Sequence, residues 1–175
     1  MKMKSKYLIF VSIVLILLSC NEKKTVYQDK IEFPSDVTAF MSGDCVYEES
    51  VSPEMKIVIY ADSSGCTGCK LELDMWKFYM ESISQKYNDR VLFKYYLQPR
   101  DKDELLFILE NEEFNYPVYI DMDNQFGKLN SLHADEVFLL DKDNHILLAG
   151  NPLATTKRKK EYEEVIQKYL NEKKS

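Results

Sequence analysis

The sequence predicts an α/β domain in which a mixed central β-sheet is flanked by helices on both faces. Three observations predict it. A short β-rich run, Lys56 to Ala61, is followed by a stretch with helical spacing and then by a second strand-like run, Arg90 to Leu97, which is the pattern of a βαβ unit with a parallel strand pair. Two later strand-like runs flank the turn-rich tetrapeptide Asp141-Lys142-Asp143-Asn144, the signal of an antiparallel hairpin. The chain then closes on an amphipathic segment whose apolar stripe needs a sheet to cover.

Taken in order, Lys56-Ile57-Val58-Ile59-Tyr60-Ala61 is bounded by Pro53 and by the turn formers Asp62-Ser63-Ser64-Gly65, and reads as a buried strand. Beyond it, Cys69, Leu73, Trp76, Met80, Ile83 and Tyr87 recur at spacings of three and four, which places them on one helix face. Glu72, Lys77, Glu81 and Gln85 lie off that face. Arg90 to Leu97 is the next strand, Asp103 to Glu112 a short helix, Tyr116 to Asp121 a strand, and Asn124 to Leu132 another short helix. Glu136 to Leu140 and His145 to Ala149 form the hairpin. After Thr155-Thr156 the last helix carries Tyr162, Val165, Ile166, Tyr169 and Leu170 on one stripe. Most of the twelve tyrosines and nine phenylalanines fall within these periodic segments, as core and strand-face residues do.

The amino-terminal end has a different character. Lys2, Lys4 and Lys6 precede an apolar run from Tyr7 to Leu18, interrupted only by Ser12. That run is shorter than the roughly 20 apolar residues a membrane-crossing helix needs. A basic start, a short apolar core and a small residue before a cut point make a secretory signal. Leu17-Leu18-Ser19-Cys20 also resembles the bacterial lipobox, a resemblance that implies cleavage before Cys20 and acylation of its thiol. The expected organisation is a lipoprotein signal at 1–19, a lipid-anchored tether at 20–30, and one domain at 31–175. Three of the 23 basic residues leave with the signal, so 20 face 29 acidic residues and nine net negative charges remain. That balance argues against nucleic acid or an anionic lipid surface as a partner. Membrane attachment would come through the lipid on Cys20.

With Cys20 acylated, Cys45, Cys66 and Cys69 remain, too few for a domain held together by disulfides. The motif Cys66-Thr67-Gly68-Cys69 stands between a strand and a helix in an exported chain, a setting for redox chemistry. If the helix begins near Cys66, its sulfur lies beside unpaired backbone N–H groups and the positive end of the helix dipole, which stabilise a thiolate. Cys66 is then the nucleophile. Cys69, on the apolar stripe, is the resolving thiol that attacks a mixed disulfide on Cys66. Two other readings compete. A permanent disulfide would only stiffen the helix start, although so small a loop restricts the unfolded chain little. Zinc would need four ligands, with only Cys45 and one of His133 or His145 left to complete the set.

The order of a strand, a C-x-x-C leading a long helix, a second parallel strand, a late hairpin and a terminal helix resembles the thioredoxin fold. More narrowly, it is similar to the membrane-tethered, periplasmic thioredoxin-like proteins related to the cytochrome-maturation thiol reductases. Lys70 and Glu72 after the second cysteine, Tyr116-Pro117-Val118 with Asp121, and Phe138-Leu139-Leu140-Asp141 match that group over residues 50 to 172. The sequence departs from it at Gly65, where the group has Trp, at Asp74, near its usual Pro, and at Asp135, where its cis-proline falls. A non-proline cis bond costs about 3 kcal/mol, so a trans bond is expected before Asp135. The resemblance implies a substrate-binding loop at Ala134, Asp135 and Glu136. A peroxiredoxin pattern would need Pro and Thr where Ile59 and Ser63 stand.

Other conspicuous residues have simpler readings. Cys45 fits a partly buried free thiol, and His133 a solvent-facing loop position beside the substrate loop. Glu72 could carry a proton for Cys69 if buried, or serve as a first-turn acid favoured by the dipole, and Asp62 allows the same pair of readings. Lys157-Arg158-Lys159-Lys160 reads as the solvated first turn of the last helix. The expected function is a lipid-anchored, extracytoplasmic thiol-disulfide oxidoreductase acting on thiol- or disulfide-containing proteins, with no cofactor beyond its own Cys66–Cys69 disulfide and no metal. The alternative is a binding or assembly module that keeps the fold and has lost turnover.

Overall fold

The computed structural model describes residues 29–41, 53–63, 71–133 and 135–172. In chain order the elements are β1 (Ala39–Phe40), β2 (Met55–Ala61), α1 (Leu73–Tyr87), β3 (Val91–Leu97), α2 (Lys102–Asn111), β4 (Val118–Ile120), α3 (Gln125–Leu129), β5 (Glu136–Asp141), β6 (Ile146–Ala149) and α4 (Thr156–Glu172). One mixed sheet has the order β1-β4-β3-β2-β5-β6. The strands β2, β3 and β4 are parallel, and β5 runs antiparallel to β2 from Met55↔Asp141 to Tyr60↔Glu136.

Connection handedness decides which face each helix covers. A strand–helix–parallel strand crossover is right-handed in almost all proteins. The steps from β2 to β3 and from β3 to β4 go the same way across the sheet, so α1 and α2 share a face. The chain must then return across β3 and β2 to place β5, and α3 packs on the other face. Two cores result. Ile57 and Ile59 of β2 join Trp76, Met80 and Ile83 of α1, Leu105 and Leu109 of α2, and Tyr162, Ile166 and Leu170 of α4. Val58 and Tyr60, pointing the opposite way, join Phe126 of α3, Phe138, Leu140 and Ile31. A strand buried on both faces explains why Ile57 to Ala61 reads as a continuous apolar run instead of an alternating one.

Polar groups fix the outline. The buried Lys56 ammonium donates to the Lys142 carbonyl at 2.9 Å and to Asn144 Oδ1 at 2.8 Å, pinning β2 to the hairpin turn. Asp101 caps α2 by accepting from the N–H groups of Asp103 and Glu104. The buried Asp121 carboxylate accepts from the N–H groups of Gln125 and Phe126, so the aspartate that ends β4 also starts α3. Asn130 exchanges hydrogen bonds with the Glu32 backbone in both directions at 2.8 Å, holding residues 31–33 over the second core.

Four details differ from the sequence expectation. The regular helix after the cysteines starts at Leu73, because Glu72 is left-handed (φ 42°, ψ 41°) and stands as its N-cap. The four-residue step from Cys69 to Leu73 fits the stripe whether or not the helix is continuous, so spacing alone could not show this break. β4 is only three residues long, Asp121 being committed to the next helix. α3 ends at Leu129, where the Leu132 N–H folds back to the Gly127 carbonyl at 2.8 Å through a left-handed Ser131. The two-residue β1, antiparallel to β4, is too short to leave a periodic signal.

Candidate active site

In an open α/β sheet the functional crevice lies beyond the carboxyl ends of the parallel strands, where successive connections leave to opposite faces. Here that place is the end of β2, between β3 and β5. The Cys66-Thr67-Gly68-Cys69 motif follows β2 in sequence. Cys66 and Cys69 themselves, like Cys20, Cys45 and Ala134, lie outside the described residues, and what is described is the end of β2 and the residues near it. Ala61, Glu72, Asp135, Glu136, Gly150 and Asn151 line one cavity of about 130 Å³, floored by Ile59, Leu71, Trp76 and Val137. The Trp76 indole is 3% exposed and meets the rings of Tyr79 and Tyr95 edge-on.

Two side chains of opposite charge hold the entry to the cysteine segment. Arg100 Nε donates to the Ser63 carbonyl at 2.8 Å, and the Asp62 N–H donates to Asp135 Oδ1 at 3.3 Å. The second contact continues the β2–β5 pairing by a side chain just beyond the Tyr60↔Glu136 pair. Sequence reading gave Arg100 no role, yet register could have found it. Ala61 pairs with Leu97 in the parallel ladder, so Arg100, three residues past the end of β3, falls beside the chain that leaves β2.

Asp135 is exposed and Glu136 half-buried at the first position of β5. Glu72 is exposed, so the buried-proton-carrier reading does not fit it. His133 is also exposed. His145 belongs to the opposite end of the sheet, where its Nδ1 lies 3.1 Å from Asp141 Oδ2 and Asp141 pairs with the first residue of β2. On the far side of β2, the Tyr60 hydroxyl donates to Asn124 Oδ1 at 2.9 Å. Burial raises the Tyr60 pKa; the Asn124 contact opposes the rise, and the carboxylates of Asp62, Asp121 and Asp135 add to it.

No family model matches the sequence, and no curated protein matches it. Among solved structures, the chain is similar to a candidate protein disulfide isomerase from Bacteroides thetaiotaomicron, with a TM-score of 0.59 and 14% identity over 83% of this chain and 92% of that one. It is similar to a candidate thiol:disulfide interchange protein DsbE from Chlorobium tepidum, with a TM-score of 0.57 and 14% identity over 82% and 99%. A mutant of peroxiredoxin Q from Xanthomonas campestris aligns with a TM-score of 0.51 and 13% identity over 70% and 87%. These likenesses establish a thioredoxin-like fold, a mixed sheet with helices on both faces.

Proposed function

We propose that this chain of thioredoxin-like fold is a lipid-anchored extracytoplasmic thiol-disulfide oxidoreductase acting on protein substrates, with Cys66 as nucleophile and Cys69 as resolving thiol. One observation carries the reading: the C-x-x-C motif follows the strand whose carboxyl end lies at the crevice of the sheet. The Cys66 thiolate attacks one sulfur of a substrate disulfide, forming a mixed disulfide and expelling the other substrate sulfur as a thiolate. The Cys69 thiolate then attacks the Cys66 sulfur, forming the Cys66–Cys69 disulfide and releasing the second substrate thiolate. Two electrons pass to the substrate, which takes up two protons from solvent. The reverse sequence oxidises a dithiol. No cofactor beyond the cysteine pair enters these steps. The lipid on Cys20, supported by Leu17-Leu18-Ser19-Cys20, would hold the domain at a bacterial membrane outside the cytoplasm. Among the described residues no helix is long and apolar enough to cross a membrane.

Asp135, at the position of the family's cis-proline, favours a second reading, a binding or assembly module whose cysteine pair is structural. One titration separates the two. The redox state of Cys66 and Cys69 is set with dithiol and glutathione buffers and read by mass after alkylation, beside Cys66→Ser and Cys69→Ser. A reversible two-electron transition between roughly −270 and −120 mV supports the oxidoreductase. A pair that stays oxidised below about −300 mV overturns it in favour of the module.

A further inference from the structure

A second cavity, of about 400 Å³, opens between the start of α1 and the start of α4, lined by Asp74, Met75, Phe78, Tyr79, Pro152, Leu153, Thr155, Thr156 and Lys159. It adjoins the redox crevice in sequence on both sides: Glu72 lines one and Asp74 the other, Asn151 one and Pro152 the other. Its walls are apolar and open to solvent. Met75 is 52% and Phe78 70% exposed, an unusual commitment for two large apolar side chains on one helix face and a mark of interaction surfaces. The Tyr79 hydroxyl, from a side chain lining this cavity, is buried with no hydrogen-bond partner among the described residues.

The wall formed by the β6–α4 turn is preformed. Leu153 N–H donates to Asn151 Oδ1 at 2.8 Å, Gly150 N–H to the Val137 carbonyl at 2.7 Å, and Tyr162 Oη to the Gly150 carbonyl at 2.7 Å. Two charged side chains line the cavity, Lys159 and Asp74. α4 opens with Lys157-Arg158-Lys159-Lys160 and has no acidic residue in its first turn, against the preference of a helix N-terminus for anions. Lys157 and Arg158 are answered by Glu161 at 3.9 and 2.9 Å. Lys159 has its ammonium 5.9 Å from the Phe78 ring centre and 5.5 Å from that of Tyr79. The one carboxylate on the rim, Asp74, is paired with Lys77 at 2.7 Å.

Resting on the oxidoreductase reading, we propose that this groove selects protein partners by the segment that flanks their reacting cysteine. One apolar side chain seats among Met75, Phe78, Pro152 and Leu153, and an acidic side chain meets Lys159. The apolar contact supplies affinity by burial, and the cation at a helix N-terminus supplies the choice of sign. Lys159, within the basic run of α4 that reads in the sequence as a solvated turn, thereby becomes part of the recognition surface.

The test uses labelled peptides that carry a disulfide flanked by Leu-Glu, Leu-Lys or Ser-Glu, on either side of the cysteine in separate peptides. They are titrated by fluorescence anisotropy with the oxidised full chain, and the same peptides are offered to the reduced chain and scored for reduction by alkylation. The Leu-Glu peptide is expected to bind about tenfold tighter than both others. Lys159→Glu, a change the helix N-terminus tolerates, is expected to invert the Glu-over-Lys preference, and Phe78→Ser, at an exposed position, to erase the preference for Leu. Three peptides that bind alike, or preferences that survive both substitutions, overturn the proposal. Equal reduction of all peptides with no preference in binding overturns the groove alone. A Leu-Glu preference in binding, with neither reduction of the disulfide peptides by the reduced chain nor oxidation of the matching dithiol peptides by the oxidised chain, keeps the groove and overturns the redox reading.

Discussion

The Asp62 N–H donates to Asp135 Oδ1 at 3.3 Å, so a carboxylate stands beside the strand end that leads into the cysteine segment. An anion near a thiol disfavours the thiolate. Asp135→Asn keeps an acceptor for Asp62 and removes the charge, and is expected to make Cys66 reactive at lower pH. The pH profile of Cys66 alkylation checks it, and an unmoved midpoint would separate this carboxylate from the thiol.

Arg100 is expected to act in the opposite sense. Its guanidinium, fixed by the 2.8 Å bond from Nε to the Ser63 carbonyl, brings positive charge to the same segment and favours a thiolate. Arg100→Gln should therefore move the reactivity of Cys66 to higher pH. Measured in the same alkylation series, Arg100→Gln with Asp135→Asn should return the profile close to that of the unaltered chain.

Gly127 in α3 has no room for a side chain, since an added Cβ would overlap Asn124 Oδ1 and the Tyr60 hydroxyl. Gly127→Ala should destabilise the fold by about 1–3 kcal/mol. Tyr60→Phe removes one of the obstructing atoms, so it should cost less in the Gly127→Ala background than alone. Urea unfolding of the two single variants and the double variant measures that coupling.

At the β5–β6 turn, burial alone would raise the Asp141 pKa, but it is outweighed by hydrogen bonds from the His145 backbone and ring and from the Asp143 N–H, and the result lies below the ordinary 3.8. A carboxyl with a depressed folded-state pKa stabilises the fold fully above its unfolded value, and that contribution is lost as pH falls through the folded value. Asp141→Asn should thus lower the urea midpoint at neutral pH. The gap to the unaltered chain should narrow in acid below pH 3.8, and a gap independent of pH would contradict the assignment.

Burial periodicity made the core legible. Leu73, Trp76, Met80, Ile83 and Tyr87, and likewise Tyr162, Ile166 and Leu170, are buried as their spacing requires, because one-sided packing imposes a period that survives in the sequence. The hairpin was readable from Asp141-Lys142-Asp143-Asn144 for a similar reason, local turn chemistry. What escaped was non-local or a single residue long: the left-handed Glu72, the two residues of β1, the reach of Arg100 to Ser63, and the hold of Asn130 on Glu32 across 98 positions. None of these repeats, so none produces a pattern. The frame of the candidate site was legible through Ala61 and Glu136 as strand ends, whereas the groove beside it depends on α1 and α4 meeting, which no local window contains.

Trp76 lines the cavity at the crevice and is the chain's one tryptophan. Indole emission from this protein therefore originates at a single place, against the floor of the crevice. Changes in intensity or wavelength on oxidation, on peptide addition or across a pH series can be assigned to that place without a dye or a label, and stopped-flow mixing can time them directly.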